Sequence, residues 1–223
     1  MRDILIAILI IIFLVVIITI KKKFTEDFET QELSSYSRFI TDLQKYKKKK
    51  KYILVFTGGP TLKEFKKEHI SKEIYDNAYI IAVKNSINFL DEIGITPDFC
   101  VSNFDGSAKR INIDILKKYK TVNIALTYDG SPKIPELKKY FNYIVKLIPP
   151  EKKNLMELVI KDGKGLEFEN INNEIYTGWG HIMMELALPL CIFLETKNII
   201  TIGWDNNPKI IKHWDNIENF DNI

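Results

Sequence analysis

The chain has 223 residues, 46% of them apolar and 27% charged, with a formal charge of +3. That length fits about one domain beyond a short N-terminal extension. Residues 1–23 carry Arg2, Asp3 and three lysines, so the remaining body is formally neutral, which argues against nucleic acid or another polyanion as its partner.

The first predicted element is the uncharged run "ILIAILIIIFLVVIITI", residues 4–20. At about 1.5 Å rise per residue it is just long enough to cross a bilayer as a helix. The run exceeds a usual signal-peptide core, and Lys21, Lys22 and Lys23 follow it where a small-residue cleavage site would stand. Residues 1–23 therefore read as a retained single-pass anchor, and the flanking lysines place the body on the cytoplasmic side.

Residues 24–51 read as a polar stem. It is acidic at first, then weakly periodic, with Phe39, Ile40 and Leu43 spaced for one helical face. It ends in the run Lys47–Lys51, a solvated linker end that could also lie against anionic headgroups. From residue 52 to 223 short apolar runs recur: "YILVF" (52–56), "YIIAV" (79–83), "FCVS" (99–102), "TVNIAL" (121–126), "NYIVKLI" (142–148) and "NIITIG" (198–203). Runs this apolar suit strands covered on both faces. Between them "TLKEFKKEHI", "SINFLDEIG", "SAKRINIDILKKYK", "PKIPELKKYF" and "GHIMMELALPLCIFLETK" show helical spacing. The alternation predicts an α/β fold: a single Rossmann-like domain with a mostly parallel sheet, preceded by one N-terminal transmembrane helix. Residues 149–175 break the pattern and read as an insertion or loop.

In such sheets ligands lie beyond the carboxyl ends of the strands. Six polar corners stand there: "TGGPT" (57–61), "KNS" (84–86), "NFDGS" (103–107), "TYDGSP" (127–132), "YTGWGH" (176–181) and "GWDNN" (203–207). In the first, Gly58 and Gly59 let backbone approach an anion, Pro60 fits a first helical turn, and amides at a helix start attract phosphate. The pattern is neither a Walker A loop nor GxGxxG, and taken alone a plain tight turn explains it as well as a phosphate site does. Asn85 and Asn103 carry amides that both donate and accept, as a base or ribose requires, or cap their own helices. Asp105 and Asp129 are hard oxygen ligands suited to Mg²⁺ beside a polyphosphate, although Asp-Gly is also ordinary turn chemistry. His213 is the candidate general base or acid, since imidazole titrates near neutrality. His181 reads as a cap or phosphate contact and His69 as solvated. Cys100 and Cys191, in apolar surroundings, read as two buried free thiols without zinc spacing.

The order and spacing of "GGPTLKEF", "IIAVKNSINFLDEIGITPDFCVSNFDG" and "YTGWGHIMMELALPLCIFLETKNIITIGWD" resemble a superfamily that joins three groups. These are the bacterial sialyltransferases of glycosyltransferase family 42, the MptE-like 6-hydroxymethylpterin pyrophosphokinases and the DUF115 proteins. The sialyltransferase branch implies a membrane-anchored glycosyltransferase. Its nucleotide-sugar donor, such as CMP-sialic acid, would be held by Gly58, Gly59, Thr61, Asn85, Ser86, Asn103, Asp105, Gly106, Thr177 and Gly178. His213 would serve as base, the acceptor would be a glycan hydroxyl, and no cofactor is required. Against that branch, Thr57 stands where it commonly has an asparagine, and Glu174 stands near its phosphate-binding arginine. The pyrophosphokinase branch implies ATP and Mg²⁺ around Asp105, with "NFDG" in place of its DxDG pattern. A third reading keeps the fold as a binding membrane protein without catalysis.

Overall fold

The computed structural model describes residues 34–103, 111–148, 168–177 and 182–204. From Ser35 onward they lie in the compact unit Ser35–Ile223. Each of the six apolar runs forms a strand: β1 Tyr52–Phe56, β2 Ala78–Val83, β3 Phe99–Asn103, β4 Val122–Tyr128, β5 Tyr143–Leu147 and, last in the chain, β8 Asn198–Ile202. Two further strands, β6 Glu169–Ile171 and β7 Glu174–Thr177, form a hairpin that begins in the stretch expected as an insertion or loop and runs two residues past it. Its turn is Asn172-Asn173, both at positive φ (52° and 65°), the conformation that a two-residue hairpin turn demands and that asparagine tolerates.

The eight strands join in one sheet in the order β6-β7-β5-β4-β3-β2-β1-β8. All neighbours are parallel except β6 and β7. The chain thus steps from β1 towards β7 in one direction and then returns to the far side of β1. Because parallel crossovers are right-handed, helices of the outward steps share one face and the return helix takes the other.

The packing follows that rule. Buried side chains of α3 Ser86–Glu92, α4 Ile113–Lys118 and α5 Ile134–Leu137 cover Leu54, Phe56, Ile80 and Cys100 on one face. On the opposite face Ile53, Val55, Ile81, Val101, Ile124, Val145 and Ile175 meet the return segment through Leu186, Leu190 and Leu194. That segment is a π-helical turn, Met183–Ala187, running into α6 Leu188–Phe193. Pro189 lacks an amide hydrogen and would crowd the carbonyl four residues earlier, which the wider π turn accommodates.

Helix α1, Ser35–Gln44, lies within the segment expected as a stem, and its Phe39 and Leu43 are fully buried against this second face. Phe39 meets the rings of Tyr143 and Phe168 edge-on at centroid separations of 5.0 and 4.9 Å. The helix expected after β1 is absent. Instead two 3-10 turns, Pro60–Glu64 and Lys67–His69, precede a short α2, Lys72–Asp76. Only Leu62 of these turns is buried, too little apolar surface to hold a longer helix against the sheet. The apolar run 4–20, expected as the anchor, lies outside the described residues. Among the described residues no helix is long and apolar enough to cross a membrane.

Candidate functional site at the carboxyl ends of the strands

β1 leaves its neighbours β2 and β8 on opposite sides, so the sheet's topological switch lies at the carboxyl ends of β1 and β8. Two of the predicted corners meet there. The Thr57 amide donates to Ile202 O at 2.9 Å, and the Gly59 amide donates to Gly203 O at 2.8 Å. Thr57 Oγ1 also donates to Ile202 O, at 3.3 Å. Gly203 sits at φ +73°, and a Cβ there would stand 2.7 Å from Thr57 O and 3.0 Å from Leu62 Cβ. Only glycine satisfies both the backbone angle and the contact.

This joint changes the expected phosphate cradle. The turn after Gly59 is a five-residue 3-10 helix whose Leu62 amide returns to Gly59 O at 3.1 Å, so the loop does not open an α-helix there. The Gly58 amide, partly exposed, makes no hydrogen bond among the described residues and is the loop's open donor. Thr61 is exposed on the turn.

At the next corner Ser86 is fully buried, and its hydroxyl accepts from the Val83 amide at 2.9 Å and donates to Phe56 O at 2.8 Å. That side chain is committed to stitching the ends of β1 and β2. Lys84 holds the turn at φ 57°, with its amide on Val101 O of β3 at 2.8 Å. Asn85 occupies the N-cap position of α3 but does not cap it with its side chain; the residue is buried, 3% exposed. Asn103 ends β3 beside Leu126 of β4.

Strand alternation brings several of these residues onto one face. The apolar rows Ile53-Val55, Phe99-Val101, Ile124-Leu126 and Ile175 all belong to the core under α1 and α6. Two residues further along each strand come Thr57, Asn103, Tyr128 and Thr177. Polar side chains thus succeed the apolar floor at the carboxyl end of four strands. Thr177 is fully buried, and its hydroxyl has no hydrogen-bond partner among the described residues. Tyr128 is 56% exposed at the end of a strand whose preceding five residues are buried.

The opposite face holds a charged cluster that sequence reasoning did not assemble. Lys146 of β5 donates to Asp129 Oδ1 at 3.1 Å and to the Glu174 carboxylate. Its Nζ also lies 5.7 Å from the ring centroid of Tyr176. Hydrogen bonds from Lys146 and then Tyr176 hold the Asp129 carboxyl below its usual range. Burial opposes the charge of Lys146, but the carboxylates of Glu174 and Asp129 outweigh it and raise its pKa. Burial first, and then the hydrogen bond to Asp129, push the Tyr176 phenol up to about 12. Glu174, noted from sequence as standing near an expected arginine, is therefore the partner of a lysine. A lone lysine inside the apolar run "NYIVKLI" was the available signal, because a buried cation requires a carboxylate nearby.

Asp105, Gly106, Gly178, His181 and His213 lie outside the described residues. His69 is exposed on its 3-10 turn and accepts the Lys66 amide on Nδ1 at 3.2 Å. Cys100 and Cys191 are buried free thiols, and burial pushes each up to about 12, which rules out an activated thiolate at neutral pH. Among the described residues no group of three or more His, Cys, Asp or Glu side chains could hold a metal ion.

No curated protein matches the chain. The family model described as 6-hydroxymethylpterin diphosphokinase MptE-like matches residues 29–208, a stretch that includes all eight strands and every corner described above. The chain belongs to this MptE-like family.

Proposed function

We propose that the protein transfers a diphosphoryl group from ATP to the hydroxymethyl group of a pterin-like acceptor. The observation that carries this reading is the family match across residues 29–208. The β1–β8 joint supports it, since it fixes a glycine loop with an open amide at Gly58 where an α/β sheet receives phosphates. In this reaction the acceptor hydroxyl oxygen attacks the β-phosphorus of ATP, the bond to the α-phosphate oxygen breaks with its electron pair, AMP leaves, and the hydroxyl proton passes to a base. The chain's part is positioning and charge: Gly58, Asn85 and Asn103 are proposed to hold the nucleotide and His213 to be the base, while the Gly59 amide is committed to Gly203 O.

The described corners do not form a Mg²⁺ site of their own. Asp129 is paired with Lys146, and Asp105, the proposed ligand, lies outside the described residues. Residues 4–20 are proposed to tether the protein to a membrane with its body on the cytoplasmic side, on the strength of the uncharged run and the lysines after it.

The test is a thermal shift of the full chain with ATP and Mg²⁺ and with CMP, followed by chromatography of products formed with 6-hydroxymethylpterin in its reduced state. A magnesium-dependent rise with ATP is expected, equivalent to about 2.7 kcal/mol at a hundredfold excess over Kd. AMP should appear in step with acceptor diphosphate. Metal-independent protection by CMP, with none by ATP, would instead favour nucleotide-sugar transfer. Protection by neither nucleotide would favour a binding protein that has lost the chemistry.

A further inference from the structure

The exposed ring of Tyr128 is out of keeping with its strand. Residues Asn123 to Thr127 of β4 are buried, yet Tyr128 is 56% exposed, and its ring and hydroxyl make no hydrogen bond or ring contact among the described residues. An isolated exposed aromatic is ordinary on a protein surface, but this one stands at the carboxyl end of a central strand.

Its neighbours are also specific. In the sheet register Tyr128 lies opposite Leu147, and Leu147 lies opposite Thr177, so the three form one row on the face above the buried core. At about 4.8 Å between strands the row runs about 10 Å, the width of a two-ring heterocycle with one polar edge. At its far end the Thr177 hydroxyl is fully buried and has no partner among the described residues, a state that costs stability unless something binds there.

The platform is rigid. Asp129, the next residue, is pinned to Lys146 on the opposite face at 3.1 Å. The Gly130 amide donates to Asp129 Oδ1 at 3.1 Å, and the Ser131 amide donates to Tyr128 O at 3.2 Å. The backbone carrying the ring is therefore held from both sides, which lowers the cost of ordering it on binding.

We propose that Tyr128 is the stacking platform for the planar heterocycle of the acceptor and that the Thr177 hydroxyl bonds its polar edge, at a subsite separate from the phosphate loop at β1 and β8. This rests on the diphosphate-transfer reading. Every aromatic heterocycle offers a face to such a ring, and the hydroxyl at the end of the row distinguishes a heterocycle with a polar edge from a plain arene.

The experiment uses the full chain and its Tyr128→Ala, Tyr128→Phe and Thr177→Val variants, with 6-hydroxymethylpterin fluorescence titrated for acceptor binding and ATP binding followed separately. Tyr128→Ala is expected to weaken pterin binding about tenfold to a hundredfold, the range of one lost stacking contact. Tyr128→Phe keeps most of the affinity, and both leave ATP binding unchanged. Thr177→Val weakens pterin binding several-fold without lowering Tm, since it removes a hydroxyl that has no partner among the described residues. Wild-type pterin affinity in a folded Tyr128→Ala protein overturns the stacking proposal alone, as does loss of ATP binding with pterin binding intact. Absence of any pterin binding by the wild-type chain overturns the functional reading, and the subsite falls with it.

Discussion

At the scale of single residues, the β1–β8 joint depends on one missing methyl group. Gly203 combines φ +73° with a hypothetical Cβ 2.7 Å from Thr57 O, whereas Gly130, at φ +74°, has nothing within 4 Å. The pair separates backbone strain from collision. Gly203→Ala should cost at least about 2 kcal/mol in urea unfolding and weaken ATP binding, because the Thr57 and Gly59 corner must move. Gly130→Ala should cost only about 1 kcal/mol. The glycines of "TGGPT" and "GWDNN" were readable from sequence as polar corners. That the amide of one would bond the carbonyl of the other was not, because they meet only when β8 is laid beside β1 across 145 residues, the separation of Thr57 and Ile202. Thr57 illustrates the same limit: read as a departure from a motif, it closes this joint through its own hydroxyl.

At the scale of elements, the Asp129–Lys146–Glu174 cluster ties the end of β4 to β5 and β7. A depressed carboxyl such as Asp129 contributes stability above its unfolded pKa, and that contribution is lost as pH falls through the folded value. A raised lysine contributes below its unfolded pKa and loses its contribution as pH rises through the folded one. The cluster therefore stabilises the sheet from above about pH 4 to about pH 10. Lys146→Met should destabilise the protein by about 1 kcal/mol at pH 7, a figure discounted for the partly exposed carboxylates. The difference from wild type should shrink in unfolding curves taken towards pH 3. The β6–β7 hairpin was the element that sequence reading passed over. Its strands have three and four residues, too short for a hydrophobic period, and only the Asn172-Asn173 pair announced a turn. The expected helix after β1 failed for the opposite reason: a helical spacing was present, but the sheet offered contact to Leu62 alone.

At the scale of the whole molecule, α1 and the return helix share the face of the sheet that the outward crossovers leave bare. Helix α1, ahead of β1, is thereby part of the cooperative core. Phe39→Ala should lower stability by about 3–5 kcal/mol while urea unfolding stays a single transition. Two transitions would show α1 to be a separate appendage. The amino-acid sequence by itself determined the alternation of strands and helices, the placement of polar corners after the strands, and the burial of both cysteines, because periodicity and turn chemistry are local properties. The tertiary structure alone decided which corners meet, which of their polar groups are consumed in holding the sheet together, and which residues share a face. Ser86 and Thr57 are spent on the fold, while Tyr128 is left exposed at the carboxyl end of β4. Strand order sets those outcomes, and it follows from the handedness of crossovers and the matching of two apolar faces over the whole chain.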